Sequence, residues 1–193
     1  MLLPTSFYLD CDTPTIARRL LGKILVCETD AGITSGIIVE TEAYLSSGDP
    51  ASHSARGKTK RNACMFGPPG TSYIYISYGV HYCMNVVCQP AGIGEAVLIR
   101  ALEPVEGIEL MRSRRGHRPE KELTNGPGKL CQAMGIDLAL NGHDLAFSPL
   151  YLLDGPPPAQ IGCSGRIGIS VGRDLPLRFY VVGNKFVSRS PRH

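Results

Sequence analysis

Glycine and proline punctuate this chain so often that no long uninterrupted element can form. Its 193 residues include 22 Gly and 15 Pro, about one residue in five. Proline ends helices and avoids central strands, and glycine favours turns. The chain is therefore rich in turns and loops, with short helices and strands, and is not a helical bundle. Hydrophobic residues reach 43% against 19% charged, which is enough apolar material for a core and unlike a disordered chain. Neither an internal repeat nor a linker divides it, so one domain over 1–193 is expected.

Charge excludes little. There are 20 Lys and Arg against 17 Asp and Glu, a net +3, which permits a polyanionic partner without demanding one. No apolar run approaches the ~18 residues of a membrane span. The opening MLLPTSFYLDCD lacks a basic n-region and turns acidic early, so no secretion signal is expected and a cytoplasmic setting follows. Seven cysteines, with no CxxC pair, fit reduced thiols better than a disulfide framework or a zinc site.

The order of elements reads as follows. PTIARRLLG forms a first helix, capped by Asp12 or Thr13, with Pro14 in its first turn and Gly22 at its exit. Two β-rich runs flank Asp30-Ala31-Gly32 as a hairpin. In the second run, Ile37, Val39, Thr41 and Ala43 share a face that reads as core; Ile38, Glu40, Glu42 and Tyr44 share the other. Residues 45–71 form a long polar loop. TSYIYISYGVHYCMNVV is the most β-prone segment, with Tyr78-Gly79 as a hairpin tip, and AVLIRALEP is a further strand. Pro104 opens a helix that ends in arginines, and PGKLCQAM is a short helix. RIGISV and LRFYVVG read as β runs, and VVGNKFV as a final hairpin around Gly183-Asn184.

Three features carry chemistry. Glu40 and Glu42 lie on one strand face beside Tyr44. The common setting for such a pair is a solvated outer face; next to an aromatic pocket, a carboxylate can act as general base toward water. Tyr73, Tyr75, Tyr78, His81 and Tyr82 crowd into ten residues. They read either as cross-strand packing or as a stacking surface for bases with a wedge at its tip. Arg56, Lys58, Lys60 and Arg61, the arginines at 112, 114, 115 and 118, and Lys129 at a Gly-rich helix start suit either plain surface or phosphate contacts. His53, alone in the polar loop without a second metal ligand, fits a loop hydrogen bond or a donor to a bound base. A non-catalytic nucleic-acid-binding module and a hydrolase of free nucleosides each share part of this pattern.

VETEAYLSSGDPASHS, TKRNACMFGPPGTSYIYISYGVHYCMN, AVLIRALEP, GPGKLCQAMGI and PLRFYV follow one another in the order seen in the alkyladenine (3-methyladenine) DNA glycosylases of the purine-glycosylase type. The chain resembles that family from about residue 5 to 188. VETEAY, YIYISYG with CMN, and LIRALEP are together highly specific.

The resemblance implies an α+β fold: a single mixed domain around a curved antiparallel β-sheet, with flanking helices and a protruding β-hairpin. It implies a monofunctional enzyme that flips a damaged purine out of duplex DNA and hydrolyses its N-glycosyl bond, with no cofactor and no metal. It makes Glu42 the base that activates water, and Arg100 the residue that helps hold that water and the carboxylate. Tyr44, His53 and Tyr75 become the base pocket, Asn85 a screen against the exocyclic amine of guanine, and Tyr78 the intercalating wedge. A monomer of the bacterial type, cytoplasmic or nucleoid-associated, is expected. The chain departs from mammalian members at Val80 and His81, just after the wedge.

Overall fold

The computed structural model describes residues 1–188; the last five residues of the expected 1–193 domain lie outside them. Eight strands form one antiparallel sheet: β1 (Ile24–Thr29), β2 (Gly32–Tyr44), β3 (Ser72–Ser77), β4 (His81–Cys88), β5 (Glu95–Glu106), β6 (Leu150–Leu153), β7 (Ile161–Ser164) and β8 (Arg178–Val181). Six of them run in the order β3-β4-β5-β2-β1-β6. β2 carries the architecture. Its first half pairs with β1, its second half pairs with β8, and β5 runs along its other edge. The sheet branches and curls at this strand, giving the α+β architecture expected from the sequence.

Three helices pack on one face. α1 (Thr13–Leu20) starts where the Asp12 side chain accepts the Thr15 amide at 2.9 Å, which satisfies an otherwise orphan donor. Its Ile16, Ala17 and Leu20 face the sheet, and Arg18 covers the Phe179 ring. The chain leaves through Gly22 at φ +87°, where a Cβ would lie 2.2 Å from the Pro156 carbonyl oxygen. α2 (Ile108–Arg114) and α3 (Pro127–Met134) complete the layer. Ile74, Met84, Val86, Val97 and Ile99 from the sheet meet Ile16, Leu20, Leu130 and Met134 in a continuous apolar core. Burial of this kind contributes ~25 cal/mol per Å² of apolar surface. The opposite face is covered by the 45–71 loop, the 165–177 loop and the turn after β8.

Four expectations are corrected. Alternation in β2 breaks at a β-bulge: Ile38 opposes Leu102 and Glu40 opposes Ala101, so Val39 is the extra residue. A bulge puts two successive side chains on one side. Ile38, Thr41 and Ala43 therefore face the helices, while Ile37 and Val39 join Phe186 on the face of Glu40 and Glu42. Pro104 does not open a helix. It lies within β5, at a register shift opposite Gly36, where the ladder is already interrupted; α2 begins after Gly107, which is left-handed at φ +70°. RIGISV is a loop, and the nearby strand is β7, because Arg166 turns inward to a buried carboxylate. VVGNKFV forms no final hairpin; after β8 the chain turns and buries Phe186 instead.

Candidate active site

Strand register builds the floor of a cleft. Tyr73 opposes Asn85, Asn85 opposes Leu98, Leu98 opposes Glu42, and Glu42 opposes Arg178. Directly opposed residues point to the same side, so one row across five strands carries an aromatic ring, an amide, an aliphatic side chain, a carboxylate and a guanidinium. Above this row lies a cleft of about 310 Å³. Tyr44, His53, Tyr75, Cys83, Leu98 and Arg100 line it, with Pro127 and the Ile167–Ile169 backbone at its rim. A smaller chamber opens behind it between Tyr44, His53, Met65, Tyr73, Tyr75 and Asn85. A larger cavity, about 570 Å³, sits between the N-terminus and α1 and shares no lining residue with the cleft.

Glu42 is fully buried behind the cleft's lining. Its Oε2 accepts the Tyr44 hydroxyl at 2.9 Å, its Oε1 accepts the Ile167 amide at 2.8 Å, and Arg100 Nη1 lies 3.3 Å from Oε1. A buried charge needs such partners. Arg100 is the extra residue of a second bulge, since Glu40 opposes Ala101 and Thr41 opposes Ile99. Burial works against its charge, but Glu42 and Glu40 outweigh it and hold its pKa above the ordinary value. Burial, then the Glu42 carboxylate, pushes the Tyr44 phenol far up, so its proton stays.

The aromatic wall comes from β3 and the polar loop. His53 Nδ1 and the Tyr73 hydroxyl are 2.8 Å apart, and the His53 ring meets Tyr75 edge-on at 4.5 Å between centroids. Packing, then Arg61, pulls the His53 pKa below its ordinary value; burial pushes Tyr73 up to about 12. The imidazole is thus neutral near pH 7 and the phenol protonated. Asn62 fixes the loop by donating to the His53 carbonyl at 2.8 Å, and Asn85 donates to the Tyr73 carbonyl at 2.9 Å.

Tyr78 stands at the rim. β3 and β4 pair antiparallel to Ser77 and His81, and Tyr78-Gly79-Val80 turns between them. Tyr78 (φ 49°) and Gly79 (φ 74°) are both left-handed. Tyr78 is 85% exposed and Val80 72%, so this turn holds two apolar side chains in solvent. A left-handed backbone at a tyrosine costs of order 1–2 kcal/mol.

Arg100, Tyr44, His53, Tyr75 and Asn85 therefore converge on the cleft and chamber, with Tyr78 lining the cleft's edge, and Glu42 lies buried behind this lining, bonded to Tyr44 and Ile167. Arg56, Lys58, Lys60, Arg61 and Lys129 lie apart from the carboxylate, all exposed; Arg61 reaches the Ile76 carbonyl at 3.1 Å and Lys129 the Asn125 side chain at 2.9 Å. Of the arginines at 112, 114, 115 and 118, Arg118 is exposed and makes no side-chain hydrogen bond among the described residues, and the other three are tied down. Arg112 bonds Glu109 and Glu120, Arg114 bonds Thr29 and the Ala133 carbonyl, and Arg115 bonds Gln132. Sequence reasoning missed Asp49, Arg166 and Arg178. Asp49 and Arg166 form a buried two-pronged pair at 2.6 and 2.7 Å, and Arg166 lies 4.6 Å over the Tyr44 ring. The available signal was a lone arginine inside each of the apolar runs GRIGIS and PLRFYV, since arginine is buried only when paired. Among the described residues no group of three His, Cys, Asp or Glu is placed to hold a metal ion, and no helix is long and apolar enough to cross a membrane.

A buried carboxylate bonded to the wall of an aromatic cleft is suited to chemistry beside a planar ring. The methylpurine-DNA glycosylase family model matches residues 6–185, and the chain belongs to that family. It is 53% identical over 192 residues to a Carboxydothermus hydrogenoformans protein named "Putative 3-methyladenine DNA glycosylase", covering 98% of this chain and 100% of that one. A Methanoculleus marisnigri protein of the same name is 52% identical over 194 residues, with 98% and 100% covered.

Proposed function

We propose that this chain is a monofunctional DNA glycosylase, a single catalytic domain over 1–193. Its substrates are alkylated or deaminated purines in duplex DNA: 3-methyladenine, 7-methylguanine, hypoxanthine and ethenoadenine. Each is flipped into the cleft and its N-glycosyl bond hydrolysed, leaving an abasic site as the first step of base excision repair. The observation that carries this reading is Glu42, a buried carboxylate held by two hydrogen bonds and the Arg100 guanidinium behind the wall of an aromatic cleft whose rim bears an exposed tyrosine.

Glycosidic cleavage passes through an oxocarbenium-like sugar. Glu42 stabilises that cation and deprotonates the attacking water, and Arg100 holds the carboxylate and water. Tyr44, His53 and Tyr75 receive the flipped base, and their ring faces attract a cationic purine with ~0.5–2 kcal/mol per ring. Asn85 stands where the exocyclic amine of guanine would clash. A base inside the duplex is out of reach, so Tyr78 fills the vacated stack and offsets part of an unstacking cost of a few kcal/mol. No lysine lines the cleft, which favours direct hydrolysis over a Schiff base. Arg56, Lys58, Lys60, Arg61 and Lys129 contact the DNA backbone, and the protein acts as a monomer.

Single-turnover excision from duplexes with one hypoxanthine or one ethenoadenine tests this reading, with alkali to cleave abasic product. Wild type gives alkali-dependent product and Glu42→Gln gives none while still binding. Binding without turnover on both duplexes and on methylated DNA would make the chain a binding module instead.

A further inference from the structure

Every buried charged side chain among the described residues belongs to one layer under the cleft: Glu40, Glu42 and Asp49 against Arg100, Arg166 and Arg178. Glu42 and Arg100 face the proposed chemistry, and Asp49 with Arg166 backs the Tyr44 ring. Glu40 has no such place. It is as buried as Glu42, but of its bonding partners only Arg100 lines the cleft, whereas Glu42 bonds the cleft-lining Tyr44 and Ile167. Yet it accepts four hydrogen bonds: Arg100 Nε at 3.1 Å, Arg178 Nε at 2.7 Å, and the Ser188 amide and hydroxyl at 2.7 Å each. An apolar residue would fill this position at lower desolvation cost.

We propose that Glu40 is a positioning residue that keeps the Arg100 guanidinium from closing on Glu42. The proposal rests on the reading of Glu42 as the base. A free guanidinium beside a carboxylate settles into a two-pronged pair, which would occupy the oxygens that must take a proton from water. Glu40 holds the Nε edge instead. The planar fork then has its direction set: Arg100 donates its hydrogen bond to Glu40, and its nearest approach to Glu42 is Nη1 at 3.3 Å from Oε1. Arg178 balances the Glu40 charge and is itself anchored by the Ser164 hydroxyl and the Ser188 carbonyl. The turn after β8 is thereby tied to the catalytic guanidinium through Glu40.

The test is the pH dependence of single-turnover excision, with lesion-duplex affinity and melting temperature measured alongside. The charged or titratable groups facing Glu42 are Glu40 and Tyr44 from β2, Arg100 from β5, Cys83 from β4, Tyr75 from β3, Arg178 from β8 and Arg166 from the 165–177 loop. Glu40→Gln leaves two guanidiniums facing one carboxylate. Its rate falls about 10- to 100-fold, the loss of one charged hydrogen bond, and its acid limb moves about one unit to lower pH; affinity is retained. Arg178→Gln moves the acid limb the other way. A folded Glu40→Gln with wild-type rate and limb, or both variants shifting the limb in one direction, overturns the proposal. If Glu40→Gln fails to melt cooperatively, the charge-neutral Glu40→Gln/Arg178→Gln pair replaces it; lost rate with an unmoved limb supports the clamp, and wild-type rate overturns it. Glu42→Gln separates the two readings. Full activity there removes the base itself, whereas an inactive Glu42→Gln beside a wild-type-like Glu40→Gln removes only the clamp.

Discussion

The hydroxyl of Tyr44 donates to Glu42 Oε2 at 2.9 Å, two residues along the same strand and on the same face. One side chain thus forms a wall of the cleft and a support of the proposed base. Its phenol stays protonated because burial and the neighbouring carboxylate raise its pKa, so the donor stays in place. Tyr44→Phe keeps the ring and removes only this bond. Its single-turnover rate falls about tenfold, the low end for a hydrogen bond to a charged group, and lesion-duplex affinity stays within about twofold. Equal losses in rate and affinity would make the ring face the whole contribution of Tyr44.

Tyr78 offers the converse separation. It touches no core cluster and is held out in solvent on a left-handed backbone. Tyr78→Ala leaves stability within about 0.5 kcal/mol, as for other surface changes. Affinity for lesion duplex falls, and excision from a lesion in single-stranded DNA falls much less, because no stack needs filling there. Equal losses on duplex and single strand would remove the wedge role.

Much of this architecture was readable from residues, and the failures share a cause. Caps and turns are local, so Asp12 and the Asp30-Ala31 turn placed their elements correctly. The motifs were also local, and the residues they named lie around the cleft and chamber, with Glu42 buried behind them. The Val39 bulge was not readable, because a one-residue slip in β2 is decided by β5, sixty residues away. Pro104 misled for the same reason: its tolerance depends on a register shift opposite Gly36. Arg166 and Arg178 sit in apolar runs that look like strands, and only the fold reveals the carboxylates they neutralise. Long-range ion pairs leave almost no local trace.

Asp49 makes one of those pairs testable by pH. Burial acts to raise its pKa, but the Arg166 fork and the Leu45 and Ala51 amides outweigh it and hold it below the usual 3.8. A depressed carboxylate pKa adds stability above the unfolded value, and that stability is lost as pH falls through the folded one. Asp49→Asn leaves Arg166 buried without its counter-charge, costing about 3–5 kcal/mol at pH 7, or very roughly 6–20 °C in melting temperature for a chain of this size. The gap between wild type and variant narrows in melts at about pH 3, below the ordinary carboxylate value, where the unfolded chain's Asp49 is protonated. An unchanged gap at both pH values would mean that the carboxylate charge is not what holds Arg166.

The basic residues divide into two groups that salt can tell apart. Arg56, Lys58 and Lys60 are exposed and form no ion pair among the described residues, and Arg61 spends one donor on the Ile76 carbonyl. Arg114 is instead committed inward, to Thr29 and the Ala133 carbonyl. Counterion release ties the slope of log Kd against log salt to the number of phosphates neutralised, about 0.9 per contact. Arg56→Ala with Arg61→Ala therefore makes the slope shallower by up to about 1.8, with little change in melting temperature. Arg114→Ala does the reverse, keeping the slope and lowering the melting temperature. Fluorescence anisotropy on a lesion duplex across a salt series, beside thermal melts, reads both quantities. An unchanged slope in the Arg56/Arg61 variant would place the DNA backbone away from the 56–61 loop.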